Sequence, residues 1–126
     1  MTTRREALIL LAGAAASALA PMGLSAGAGV AARRKVHLFS KHLQWLDYGP
    51  MAETAAETGF DGVDLTVRPG GHVLPENVAR DLPLAVGAIR GAGLKADRIT
   101  TAITDPGDPL STAILQTASE LGIGIY

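Results

Sequence analysis

The sequence has no cysteine, so disulfides and thiolate metal sites are excluded, and His, Asp and Glu are the strong metal ligands that remain. Aromatic side chains are nearly as scarce, at 4% of residues. Phe39, Trp45, Tyr48 and Phe60 are too few and too scattered for a base-stacking platform. An excess of one charge sign is also missing: 11 basic and 12 acidic residues leave a formal net charge of −1. The basic residues after position 35 are dispersed, which gives no electrostatic footprint for a nucleic-acid backbone. No apolar run is long enough to anchor the chain, because the longest, Ala7 to Ala20, falls short of the roughly 20 residues of a spanning helix.

That short run belongs to a leader of a different character. "TTRREALILLAGAAASALAPMGLSAGAGVAA" opens on Arg4-Arg5, passes through the apolar stretch and becomes rich in Gly, Ala and Ser. A charged start, a short hydrophobic middle and small residues form the grammar of an export signal. Thr3-Arg4-Arg5-Glu6-Ala7-Leu8 resembles the twin-arginine type, which carries folded proteins across a bacterial membrane. Residues 1–32 are therefore expected to be a signal peptide, with cleavage near Ala18-Leu19-Ala20 or Val30-Ala31-Ala32. The mature protein, residues 33–126, is expected in the periplasm without a stable membrane anchor.

The apolar fraction of the sequence, 48%, suffices for a packed core in the mature protein. Three segments share one pattern, a helix-like stretch that stops at a glycine before a short apolar strand: "AETGFDGVDL", "RGAGLKADRI" and "SELGIGIY". Their glycines, at 59, 93 and 122, are spaced by about one strand-plus-helix unit and suit the left-handed turn past a helix end. Strands are expected at 35–41, 62–67, 94–101 and 123–126. A helix is expected from Pro50 to Thr58, with a small-residue face of Met51, Ala52, Ala55 and Ala56. A second should begin after Asp81, with Pro83 in its first turn and Leu82, Val86 and Ile89 as its buried stripe. A third should begin at Asp108-Pro109 and present Leu110, Ile114, Thr117 and Leu121.

Strict alternation of strand and helix predicts parallel pairing, in a doubly wound sheet or a (β/α)₈ barrel. A dinucleotide-binding sheet would need a Gly-x-Gly-x-x-Gly turn after the first strand, and "FSKHL" has no glycine, so the barrel fits better. Such a barrel takes about 250 residues. The fold class expected is thus the N-terminal portion of a (β/α)₈ TIM barrel: about three βα units and the start of a fourth strand at "GIGIY". Open sheet edges would then favour self-association.

The stretch "GVDLTVRPGGHVLPE" places a strand ahead of a loop. Val63, Leu65 and Val67 alternate with Asp64, Thr66 and Arg68, and Pro69-Gly70-Gly71 cannot continue a ladder. Arg68 and His72 therefore sit where a strand opens into a loop, a common place for function. With "LFSKHLQWL", "AAETGFDGVDLTVRPGGHVLPE", "AGLKADRITTAI" and "LGIGIY", residues 35–126 resemble the N-terminal half of the sugar phosphate isomerase/epimerase family, the xylose isomerase-like TIM barrels.

The resemblance implies metal-assisted proton transfer on a small carbohydrate substrate, with a divalent manganese, zinc or magnesium ion at the C-terminal rim of the strands. The family's ligands lie mainly on later strands, outside this chain, so no metal ligand is assigned. The first-half rim supplies Lys41, His42, Arg68 and His72 as substrate-binding candidates, with Thr100 and Thr101 nearby. His72 reads as a rim contact, a surface histidine or, with least support, a metal ligand. Arg68 reads as a carboxylate or phosphate clamp, or as a salt-bridge partner of Asp64 or Glu76. If the first strand persists, alternation lets only one of Lys41 and His42 face the mouth, and parity favours Lys41. His37 reads as an interior histidine, Asp64 as a buried partner for a cation, and Asp105-Pro106-Gly107-Asp108 as a turn feeding a helix cap. Two rival readings of the chain are a non-catalytic carbohydrate-binding or interaction barrel and an inactive truncated product.

Overall fold

The structure, a computed structural model, describes residues 32–126. The leader reading lies outside these residues except at Ala32. Residues Lys35–Tyr126 form one compact unit. Its strands β1 (His37–Phe39), β2 (Gly62–Val67) and β3 (Lys95–Thr101) make a parallel sheet in the order β1-β2-β3. Between and after them run α1 (Tyr48–Glu57), α2 (Val78–Gly91) and α3 (Pro109–Glu120). Ile125 bridges Arg98 in parallel, so the expected fourth strand is present as a single bridge beside β3.

Each helix ends in the same way. Gly59, Gly93 and Gly122 take positive φ of 90°, 80° and 74°. Their amides and those of the next residue bond back into the last turn: Phe60 N to Ala55 O, Leu94 N to Ile89 O, and Ile123 N to Ala118 O, at 2.9–3.1 Å. This is the two-bond stop of a helix, in which glycine escapes the steric penalty of a left-handed residue. It hands an apolar side chain straight to the next strand.

Helix starts are less uniform. At α3, Asp108 accepts the Leu110 amide at 2.9 Å and Pro109 occupies the first turn, as the sequence predicts. Helix α2 differs: a short 3-10 turn over Pro75–Asn77 leads into Val78, so the helix begins three residues before Asp81. Pro83 then lies inside it rather than in its first turn, and Asp81 binds Arg80 instead of capping. Strand β1 is also shorter than expected. Ser40 starts a 3-10 turn, and its hydroxyl accepts the Thr66 amide at 2.9 Å, supplying the acceptor that a longer strand would offer.

The core joins Val63, Leu65 and Val67 of β2 to Met51 and Ala55 of α1, Leu82 and Ile89 of α2, and Ile114 and Ala118 of α3. Helix α1 packs on α2, and α2 on α3. All three helices thus share a core with one face of β2, as its two-residue alternation requires. The alternate residues, Asp64 and Thr66, stand on the other face. Asp64 is half-buried and accepts the Thr100 hydroxyl at 2.8 Å. No helix of the described residues is long and apolar enough to cross a membrane.

Candidate functional site at the C-terminal rim of the sheet

Parallel strands deliver their C-terminal ends to one side, so the loops after β1, β2 and β3 meet on one rim. A polar hub ties the first two together. Thr66, fully buried, lies 3.2 Å from Ser40 through its hydroxyl, which also accepts the His72 amide at 2.9 Å. The loop between is a tight turn: Gly71 N bonds Arg68 O at 2.9 Å, with Pro69 second and Gly70, at φ 70°, third. Proline fixes the first bend and glycine accepts the left-handed one. The chain then returns beside β2, where Val73 N reaches Thr66 O at 3.1 Å. Gln44 donates its side-chain amide to Gly70 O, fastening the β1 loop over this turn.

We expect Thr66→Val to cost about 1–3 kcal/mol, because the buried Ser40 hydroxyl and His72 amide lose their shared partner. Thr66→Ser should restore most of it. Urea unfolding of both variants tests the hub.

Arg68 and His42 meet across Phe39. The Arg68 Cζ lies 5.6 Å from the Phe39 ring centroid, and His42 meets the same ring edge-on at 6.0 Å. Among the described residues Arg68 forms no ion pair. Of its two expected partners, Asp64 accepts the Thr100 hydroxyl and Glu76 forms no ion pair with it among the described residues; the cation rests instead on an aromatic face. Lys41, which parity favoured, is exposed and makes no contact of this kind. The condition for that preference fails, because the strand ends at Phe39 and the 3-10 turn breaks the alternation.

His72 is held apart from this group. Its Nε2 lies 3.1 Å from Leu46 O, its carbonyl accepts the Tyr48 hydroxyl at 3.0 Å, and its ring is tilted 50° to that of Tyr48. A carbonyl can only accept, so Nε2 carries the proton in this pair and the buried Nδ1 is left as an acceptor without a partner. The imidazole lines a cleft of about 390 Å³ with Gln44, Asp47, Tyr48 and Asp81. His72 therefore braces the rim from behind, on the side of the helix entrances.

Burial is the main cause that raises the Tyr48 pKa, and Asp81 and Asp47 add to it while Arg80 opposes. Stability that depends on a protonated phenol is present below the ordinary tyrosine value and lost as pH rises through the raised one. Tyr48→Phe should therefore flatten the alkaline fall in stability, read by urea midpoints across that range.

A second cavity, of about 130 Å³, lies between the β2 and β3 loops and is lined by Arg68, Pro75, Ile103, Asp105, Leu110 and Ser111, among others. Asp105 accepts the Gly107 amide at 2.8 Å, closing the turn that the sequence predicts there. At the opposite end of the sheet the His37 side chain is 7% exposed and places Nε2 3.3 Å from Asp97 Oδ1, without the alignment of a hydrogen bond. It is an interior histidine remote from the rim.

Sequence reasoning missed Phe39, Ser40, Thr66 and Tyr48. Thr66 shares parity with Asp64 and Arg68, a signal that was available; the role of Tyr48 depends on a loop-to-helix contact that no local pattern announces. Among the described residues no three His, Asp or Glu side chains come together to hold a metal ion. The donors present do not fit the divalent ion that the resemblance implies, and the rim's properties derive from its own side chains. Comparison with known proteins finds no family model, no curated protein and no solved structure that matches the chain.

Proposed function

We propose that residues 35–126 are the first units of a sugar isomerase/epimerase-type (β/α)₈ barrel whose C-terminal rim binds a carbohydrate or sugar phosphate. One observation carries this reading: Arg68, without an ion pair among the described residues, rests on Phe39 beside His42 and lines the cavity at the strand ends. An arginine pre-positioned on an aromatic face loses little freedom when it takes an anionic or polyhydroxylated ligand. The barrel reading is supported by three helices that share a core with one face of β2, while Asp64 and Thr66 stand on the other. The leader reading adds export to the periplasm, and the outer strands would need a neighbour or a second copy to cover them.

In an isomerase of this type a carboxylate moves a proton between adjacent sugar carbons. Here Asp64 accepts the Thr100 hydroxyl, and the reading gives the rim residues the task of binding and orienting the ligand. The second reading is a carbohydrate-binding barrel without catalysis, in keeping with the engagement of Asp64 by Thr100.

Calorimetric titration of the full chain with sugars and sugar phosphates tests the binding claim. Arg68→Ala should weaken binding by about tenfold or more, with Arg68→Lys intermediate, as expected for the loss of a planar two-point contact. Unchanged affinity in Arg68→Ala would refute the assignment. Deuterium uptake at the carbon next to the sugar carbonyl, with manganese supplied, separates the two readings: uptake supports the isomerase, and binding without uptake supports the non-catalytic barrel.

A further inference from the structure

We propose that the cavity between the β2 and β3 loops selects a hydroxylated monocarboxylate, a sugar acid, over a phosphorylated sugar. The inference rests on the binding role of Arg68 and goes further by fixing the charge of the ligand. Among the described residues Arg68 is the only cationic side chain lining this cavity, and Asp105 and Asp108 line it too.

A helix start is ordinarily a good seat for phosphate, because its first amides are free. At α3 that seat is narrowed. Asp108 Oδ1 accepts the Leu110 amide at 2.9 Å, Pro109 has no amide hydrogen, and the Thr112 amide bonds Asp108 O at 3.2 Å. The Gly107 amide is likewise taken, by Asp105 Oδ1 at 2.8 Å. Two of the amides nearest the cavity, those of Leu110 and Gly107, are thus taken by carboxylates, and those carboxylates add two negative charges beside one arginine.

A phosphate monoester carries about −1.5 to −2 charges at neutral pH and would be repelled by both aspartates. A single carboxylate meets a smaller repulsion and matches the planar fork of Arg68. The free oxygens of Asp105 and Asp108 are acceptors, suited to sugar hydroxyls, which donate. The apolar walls, Ile103 and Leu110, suit the carbon face of a small ring or chain.

Galactose, galacturonate and galactose 6-phosphate, titrated into the full chain, share one ring and differ in charge. Galacturonate should bind about three- to tenfold tighter than galactose 6-phosphate, a gap that narrows as salt is raised, because surface charges are screened. It should also bind tighter than galactose, and Arg68→Ala should erase that advantage. The double variant Asp105→Asn with Asp108→Asn keeps both side-chain acceptors for the Gly107 and Leu110 amides while removing two charges. It should bind galactose 6-phosphate tighter than the parent chain does. A parent chain that binds the phosphate as tightly as the uronate, or galactose as tightly as the uronate, overturns the charge selection and leaves the rim as a binding site. No binding of any of the three overturns the rim reading as well.

Discussion

Replacing Gly62 by alanine should cost about 3 kcal/mol, at the upper end for inserting a methyl group into a packed site. A β-carbon there would stand 2.5 Å from His37 Cδ2, 2.6 Å from its Nε2 and 2.7 Å from Lys95 O. Real β-carbons do not approach so closely. The imidazole could move only out of its place on the sheet, and the Lys95 carbonyl is part of the paired backbone, since Lys95 is Gly62's partner in β3. The register also shifts between Gly62 and Asp64, so this is the point where the two strands come into step. Urea unfolding gives the cost. Adding His37→Ala to Gly62→Ala should recover only part of it, because the clash with Lys95 O remains; full recovery would place the whole effect in the imidazole.

Leu82→Ala should be of similar or greater size, about 2–5 kcal/mol, because it leaves a cavity that the surroundings cannot close. Leu82 is fully buried on α2, in the core shared with Met51 of α1 and Leu65 of β2. A domain of this size has only about 5–15 kcal/mol in total. The variant should therefore lose a large part of its unfolding midpoint, whereas Leu84→Ala, at a position 60% exposed on the same helix, should be almost silent. Equal effects at the two positions would mean that α2 is not seated as described.

What could be read from the sequence was what local geometry dictates. Gly59, Gly93 and Gly122 were legible as helix stops because a left-handed residue after a helix is a single-residue requirement, and all three have the positive φ it implies. The alternation of Val63, Leu65 and Val67 with Asp64 and Thr66 was legible for the same reason, as was the cap at Asp108. The start of α2 was not, because Pro83 is a good first-turn residue and the helix entry depends instead on the 3-10 turn at Pro75. The end of β1 was not, because it is set by Ser40 reaching Thr66, a contact across 26 positions.

The candidate site divides along the same line. The position of Arg68 was legible, since the glycines after it mark a strand end opening into a loop, as at the end of β2. The site's internal grouping was not. That His42 rather than Lys41 joins Arg68, and that His72 turns away toward Leu46 and Tyr48, depends on the 3-10 turn at Ser40 and on the fastening of the two loops through Thr66 and Gln44.

Whether the rim is a binding surface is best decided by a map of backbone amide shifts in the full chain as galacturonate is added. Ser40 to Gln44, Arg68 to His72 and Thr104 to Ser111 should move, while Asp61 and Gly93 to Lys95, at the opposite end of the sheet, stay in place. Shifts centred on that opposite end, or none at saturating sugar, would mean that the rim does not bind.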